Sequence, residues 1–418
     1  MHRLAVFALL LLAPCPSPLI ATDWLEFRGP NGTGHYAGKP LPTEWGPTTN
    51  VTWKTPIPGK GWSSPIHVGG KLVMTTAVPL SGNDTPDYSL RAVAVDAKSG
   101  SLLWDVELFR EDGKTAPPPH KKNSHASPTP VSDGKTVVAH FGHMGTAALD
   151  LDGKVLWKTQ ELTYHPMHGN GGSPILVGDA VVFCCDGRDV AFVVALDKAT
   201  GKVRWKTPRN TTARMTFSFA TCQAVTAAGK TVIVSPAADY VMGYDPATGK
   251  ELWRAKYPRP GWSLICRPVE AFGKVWLSTG YDAAHLIAVD PWAGGSVKPA
   301  LVWKEKFYTP NTPTPLLVGD ELYLIADMGF LSCIDARTGK THYSERLPGK
   351  GYSASPIAWD GKIYLTSEEG VGQVLAAGKE YKELSRSDLG EKTFATFVPV
   401  DGALFVRTET QLYRFDRR

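Results

Sequence analysis

Cysteine is scarce in this sequence. Beyond Cys15 there are Cys184, Cys185, Cys222, Cys266 and Cys333, an odd set without paired metal-binding spacing. That excludes a fold carried by a disulfide framework and a zinc ribbon. The formal charge of +5 comes without a basic block interleaved with aromatics, so nucleic acid is not an expected partner. No Gly-x-Ser-x-Gly or His-Glu-x-x-His motif is present, which removes the usual sequence signals of a serine hydrolase and a zinc peptidase. Long hydrophobic runs are also missing. The one apolar stretch of note, Leu4 to Leu12, is too short to span a bilayer as a helix. It follows Arg3 and precedes a Pro-rich segment, the pattern of an export signal over residues 1–21 with cleavage expected after Ala21. Cys15 offers a lipid attachment point, but Pro14 before it disfavours that alternative. An extracytoplasmic protein, periplasmic or secreted and without a transmembrane span, is expected.

What is abundant is turn-forming and aromatic: 41 Gly, 33 Pro and 13 Trp in 418 residues. Aligning the Trp residues exposes an internal repeat. Its tail reads AVDAKSGSLLW to Trp104, ALDLDGKVLW to Trp157, ALDKATGKVRW to Trp205 and GYDPATGKELW to Trp253. Later copies degrade: one ends at Trp303 after an insertion, one has Tyr343 for Trp, and one keeps only a turn near Tyr381. The heads (SSPIHVGGKLVMTT, GSPILVGDAVVFCC, ASPIAWDGKIYLTS) read as two antiparallel strands around a tight hairpin. Head plus tail makes four strands every ~45 residues, the period of a propeller blade. Asp and Thr suit the tail hairpin because their side chains bond turn amides, and Gly supplies positive φ. Trp53, Trp104, Trp157, Trp205, Trp253 and Trp303 are expected to pack between blades. The last head, FATFVPVDGALFVRTETQLYRF, lacks a tail, and the tail NVTWKT around Trp53 lacks a head. Joining them closes a ring. The expectation is an all-β, eight-bladed β-propeller of four-stranded antiparallel blades over residues 22–418, its last blade completed by the N-terminal strand.

The repeats, with the N-terminal motif WLEFRGPNGTG, resemble the exported propellers of the pyrroloquinoline-quinone (PQQ)-like class, notably a branch abundant in planctomycete-type bacteria. That class is related to the quinoprotein dehydrogenases and to the propeller lipoprotein of the outer-membrane barrel-assembly machine. The resemblance covers essentially all of residues 22 to 418 and implies the fold more strongly than any activity.

Candidate functional residues gather on the face holding the loops that enter each inner strand. His120, His125, His140, His143, His165 and His168 fall there, as metal ligands or as residues bonded to loop backbone. Asp186, Asp239, Asp282, Asp327 and Glu368 recur near hairpin tips, either as an arc of carboxylates or as ordinary turn formers, with Arg188 the expected charge partner of Asp186 and Asp189. Trp62, Trp262, Tyr352 and Phe394 precede inner strands, where they would line the axis or plug it. Cys184 and Cys185 resemble the vicinal pair of quinoprotein dehydrogenases but lack its flanking residues, and small apolar fillers are the simpler reading. The binding face is expected to use Trp62, His125, His143, His168, Asp186, Arg188, Asp239, Trp262, Asp282 and Tyr352.

The residues at the inner-strand entrances, Trp62, His125, Gly171, Phe219, Ile265, Thr312, Ser353 and Thr396, include no carboxylate. Calcium with PQQ needs several oxygen ligands and a nearby base. The expected function is therefore a non-catalytic binding or scaffold protein of the cell envelope, a monomer that takes a protein or glycan on its loop-rich face, with no cofactor, metal ligand or catalytic residue assigned. The alternative is a PQQ- and Ca-dependent oxidoreductase acting on an alcohol or sugar.

Overall fold

The structure is a computed structural model that describes residues 23–417 except 83–85, 282–283, 294, 297–300 and 304–307. The expected export signal and Asp282 lie outside the described residues. Eight sheets form eight blades, five of them built from four strictly consecutive strands. The eighth joins Val398–Val400, Ala403–Arg407 and Gln411–Asp416 to Val51–Pro56, which pairs antiparallel with Gln411–Asp416 as the outermost strand. The N-terminal strand therefore completes the last blade, as the orphan head and tail require. Closure leaves no blade with an open seam.

The tail turns form as their composition dictates. Asp197 Oδ1 accepts from the amides of Ala199 and Thr200 and from Thr200 Oγ1, each at 2.9 to 3.1 Å. Asp96, Asp245 and Asp335 repeat the arrangement. Trp104, Trp157 and Trp205 then reach across the blade seam, each indole N–H donating to a turn carbonyl of the following blade (Leu151, Lys198, Pro246) at 2.8 to 3.0 Å. Small residues stand opposite the tryptophans on the neighbouring strand: Ala94, Ala148, Ala195 and Gly243.

In two blades the tryptophan position is occupied differently from what the spacing suggests. In the fifth blade Ala288 faces Leu301, and Trp303 lies opposite Leu286, two residues along. The insertion responsible adds Gly295–Ser296 as a parallel fifth strand on the outside of the fourth blade. In the seventh blade Val374 faces Ser385, so Tyr381 precedes the outer strand Glu383–Asp388 instead of lying on it. Trp45, from the segment before the first strand, substitutes for the missing aromatic. It is buried against Tyr364 and, edge-on at 5.4 Å, Phe397 of the eighth blade, while its backbone N–H donates to Ser387 Oγ at 3.0 Å.

Candidate functional site: a blind axial funnel

Each inner strand is preceded by a short Ser/Thr-containing entrance, followed in most blades by proline. Proline removes a strand N–H at the inner edge, where no further strand pairs with it, and the amide of the residue before it is used between blades. Ser64 N–H donates to Thr129 Oγ1 at 3.0 Å, Thr129 to Ser173 Oγ at 2.9 Å, and Ser173 to Thr221 Oγ1 at 2.9 Å. After a break the chain of bonds resumes: Arg267 N–H to Thr314 Oγ1, Thr314 to Ser355 Oγ, Ser355 to Thr396 Oγ1 and Thr396 back to Ser64 Oγ, at 3.0 to 3.1 Å. Seven hydroxyls thus form a crown around the axis, and all seven border one cavity of about 740 Å³.

The break falls at Arg267, which stands where the other blades have Ser or Thr. Its side chain turns to the N-terminal arm. Nη2 pairs with Glu26 at 2.8 Å, Nη1 donates to Phe27 O at 2.8 Å, and Nε donates to Gln223 Oε1 at 2.7 Å. The arm crosses the channel beneath the crown. Trp24 exchanges backbone bonds with His67 of the first blade, Leu25 O accepts from Ser132 of the second, and Tyr36 N–H donates to Ala358 O of the seventh. Arg28 is fully buried and donates to Thr314 O and Pro315 O at 2.8 and 3.0 Å. Burial with no carboxylate, and Arg267 nearby, lower its pKa to about 9. Gly32 is required here: at φ +66 a Cβ would lie 2.2 Å from the Arg267 guanidinium carbon. The motif WLEFRGPNGTG is therefore the plug of the channel, and Phe27 belongs to the funnel lining.

Two residues before each crown position lies a second tier: Trp62, Ser127, Gly171, Phe219, Ile265, Thr312, Ser353 and Phe394, all lining the cavity. Trp62 and Phe394 stack with centroids 4.4 Å apart, and Trp262 meets Tyr281 edge-on at the mouth. Charges in the upper funnel are engaged. Lys122 pairs with Glu368 at 2.7 Å, and Glu368 also accepts from Ser353 Oγ at 2.7 Å. Asp327 Oδ1 accepts from the amides of Asn311 and Thr312 and Oδ2 from Thr312 Oγ1, at 2.8 to 3.0 Å. Burial, with His168 and two lysines beside it, holds the His120 imidazole below its usual pKa. Two buried polar atoms of lining residues, Trp62 Nε1 and Asn311 Oδ1, have no protein partner.

Of the residues expected at the binding face, Trp62, Trp262 and His168 line the funnel. His125 does not. Thr129-Pro130, not Ser127-Pro128, is the crown pair of its blade, so Ser127 takes the wall position and His125 is buried against Tyr88, centroids 4.6 Å apart. Tyr352, one residue before the wall position, turns into the core and bonds Pro348 O. His143 packs behind the wall against Asn170 Nδ2 at 3.0 Å. Asp239 is taken up by the segment leading to the fifth blade, accepting from Gly261 N–H. Asp186 is fully buried in a two-pronged pair with Arg209, at 3.0 and 2.8 Å, while Arg188 bonds His165 Nε2 instead. Arg209 lies 23 residues from Asp186, so sequence proximity had favoured the wrong arginine. Among the described residues the histidines do not converge with other ligands into a metal-binding group. Cys185 is core, whereas Cys184 approaches Cys222 of the next blade, Sγ to Sγ 3.3 Å.

Known proteins place this architecture. The model of the family described as outer membrane protein assembly factor BamB matches residues 43–192 and 165–380. The chain belongs to this family of PQQ-like propellers. Among solved structures it resembles BamB from Moraxella catarrhalis (13% identity, TM-score 0.61, covering 88% of this chain and 97% of that one). It also resembles a europium-containing methanol dehydrogenase (11% identity, TM-score 0.67, covering 95% and 98%). At these identities the likeness is one of fold. No curated protein matches the sequence significantly.

The donor set of the funnel does not fit calcium with PQQ. Calcium takes about six to eight oxygen ligands including carboxylates. Asp327 is the one carboxylate among the described lining residues, and both its oxygens are occupied by the loop it caps. The lysine available to a multiply charged cofactor, Lys122, is paired with Glu368.

Proposed function

We propose that the protein is an exported, non-catalytic binding propeller of the cell envelope, with the blind axial funnel as its ligand site and a protein or glycan entering from the loop-rich face. The observation that carries this reading is the two-tier lining: a crown of hydroxyls below aromatic and small residues, with no carboxylate at any wall position. Such a lining binds and orients: His120 and His168 border it, but among the described residues neither imidazole is hydrogen-bonded to a hydroxyl or thiol that it could activate. The plug seals the far end, so a ligand enters and leaves by the same mouth. The membership in a family described by outer-membrane assembly supports an envelope location, as does the Arg3 to Ala21 pattern. Among the described residues no helix is long and apolar enough to cross a membrane.

The test is twofold. Cell fractionation should find the mature protein in the envelope with about the first 21 residues removed. Purified protein given PQQ and Ca²⁺ should reduce no dye with alcohols or aldose sugars. Substrate-dependent turnover abolished by Asp327→Asn would replace this reading with the quinoprotein alternative.

A further inference from the structure

We infer that the funnel takes a neutral saccharide ring, seated with its hydroxyl edge on the Ser/Thr crown and an apolar face against the half-exposed aromatic wall of Phe219 and Trp262. This deepens the binding reading above and rests on it.

The crown sets the chemistry. Each of its seven hydroxyls accepts one amide N–H from the preceding blade. A hydroxyl has one proton and two acceptor sites, so every crown oxygen keeps its proton and one lone pair. None of the seven donates to another described protein group. Accepting a bond also makes each a better donor. The floor is therefore a ring of groups that donate and accept at once, without net charge. Sugar hydroxyls have the same dual character, and a sugar ring presents several around its edge.

Other ligand classes fit less well. An anion could use the crown protons, but among the described lining residues no lysine or arginine is free to offset it: Lys122 is paired with Glu368, and Arg267 is turned below the floor onto Glu26. A cation would find, among the described lining residues, one carboxylate, Asp327, already bonded to three donors. A wholly apolar ring would strip water from seven hydroxyls and return no bonds, at a cost for each. A saccharide satisfies the crown and also the walls, since its C–H face packs on an aromatic ring while its hydroxyls remain free to bond. The cavity of about 740 Å³ is in the range of pockets that enclose a ligand of more than one ring, roughly 300–1,000 Å³.

The experiment is titration of the full chain, followed by tryptophan fluorescence and calorimetry. The probes are three neutral oligosaccharides (maltotriose, cellotriose and tri-N-acetylchitotriose), the acidic trigalacturonate and the bare aromatic p-cresol. Saturable binding of at least one neutral trisaccharide is expected, with trigalacturonate and p-cresol weaker. Trp262→Ala, at the half-exposed mouth where the fold does not depend on it, should weaken that binding about tenfold through lost ring contact. The melting curve of this variant should stay near wild type. Binding of trigalacturonate or p-cresol in preference, or no binding by any neutral probe, overturns the saccharide assignment. The dye-reduction assay separates the two levels. Silent sugars with no dye reduction remove only the saccharide, whereas dye reduction removes the binding reading itself.

Discussion

The Trp157 indole lies on Gly201 of the following blade: its N–H donates to Lys198 O at 2.8 Å, and a Cβ on Gly201 would come within 2.4 Å of the ring. Gly201 also has φ +71. The tail signature thus couples two blades as well as building its own turn. Gly201→Ala is expected to cost about 2–4 kcal/mol, combining left-handed strain with an overpacked contact. Gly178→Ala provides the control. At φ +58 with nothing within 4 Å of its added methyl, it bears the strain alone and should cost about 1 kcal/mol. Equal denaturation midpoints for the two variants would show that the tryptophan contact contributes nothing.

Asp186 and Arg209 form an ion pair with both side chains fully buried. The carboxylate holds the Arg209 guanidinium charged, and the pair spans the second and fourth strands of its blade, with Arg209 also donating to Ser235 O and Pro236 O of the next. Removing one partner leaves a buried charge uncompensated. Asp186→Ala should destabilise by about 3–5 kcal/mol in urea titration. Replacing both residues together, Asp186→Leu with Arg209→Met, should recover most of that loss. A double variant as unstable as the single one would mean that the geometry of the pair, and not charge compensation, maintains the seam.

Two histidines make stability depend on pH. Burial lowers the His140 pKa to about 3 and the His143 pKa to about 4, each helped slightly by neighbouring histidines. Unfolded histidine titrates near ~6.5. Below that value the unfolded chain binds protons that the folded chain refuses, so stability is complete above about pH 6.5 and declines as pH falls toward 4. His143→Gln, which keeps a polar group beside Asn170, should flatten the decline between pH 6.5 and 4 in chemical denaturation. A wild-type midpoint unchanged across that window would show that both rings protonate freely in the folded state.

The fold was legible because the repeat is local. Asp, Thr and Gly within one hairpin, and Trp at a fixed distance after it, report strands and turns directly, and the orphan tail at Trp53 specified closure. The funnel was legible only in part. Trp62 and Trp262 stand at entrances that sequence could count, but the double Ser-Pro-Thr-Pro of the second blade hid its register, which placed His125 at the wall in place of Ser127. The crown was in view as the recurring hydroxyl before proline in the heads. Its role depends on bonds between residues 41 to 65 apart, or 332 across the closure, and no local pattern encodes these. Trp45 was missed for the same reason: it belongs to no repeat, yet occupies the seam left by Ser385. The arm motif was visible as a motif, but its work as a plug follows from contacts with the second, fifth, sixth and seventh blades.

Cys184 and Cys222 are the thiols placed to join. Their sulfurs are 3.3 Å apart across the seam of the third and fourth blades, with Ser235 Oγ within 3.4 Å of both. In the folded chain a hydrogen bond from the Cys184 thiol, with Ser235 and the Arg209 charge, holds the Cys222 pKa below its usual value. On refolding with oxidised glutathione, Cys222 gives up its proton and displaces glutathione thiolate to form a mixed disulfide. Cys184, as its thiolate, then displaces the second glutathione. One protein S–S bond forms, one glutathione S–S bond breaks, and the two electrons reside in two glutathione thiols. A peptide map under non-reducing conditions should recover the Cys184 and Cys222 peptides linked, with Cys185, Cys266 and Cys333 alkylatable after unfolding. Linking positions 38 residues apart should raise stability by about 3–4 kcal/mol on the chain-entropy estimate, an increment lost in reductant and in Cys222→Ser. Recovery of a Cys184–Cys185 link, or of five free thiols after oxidative refolding, would refute the pairing.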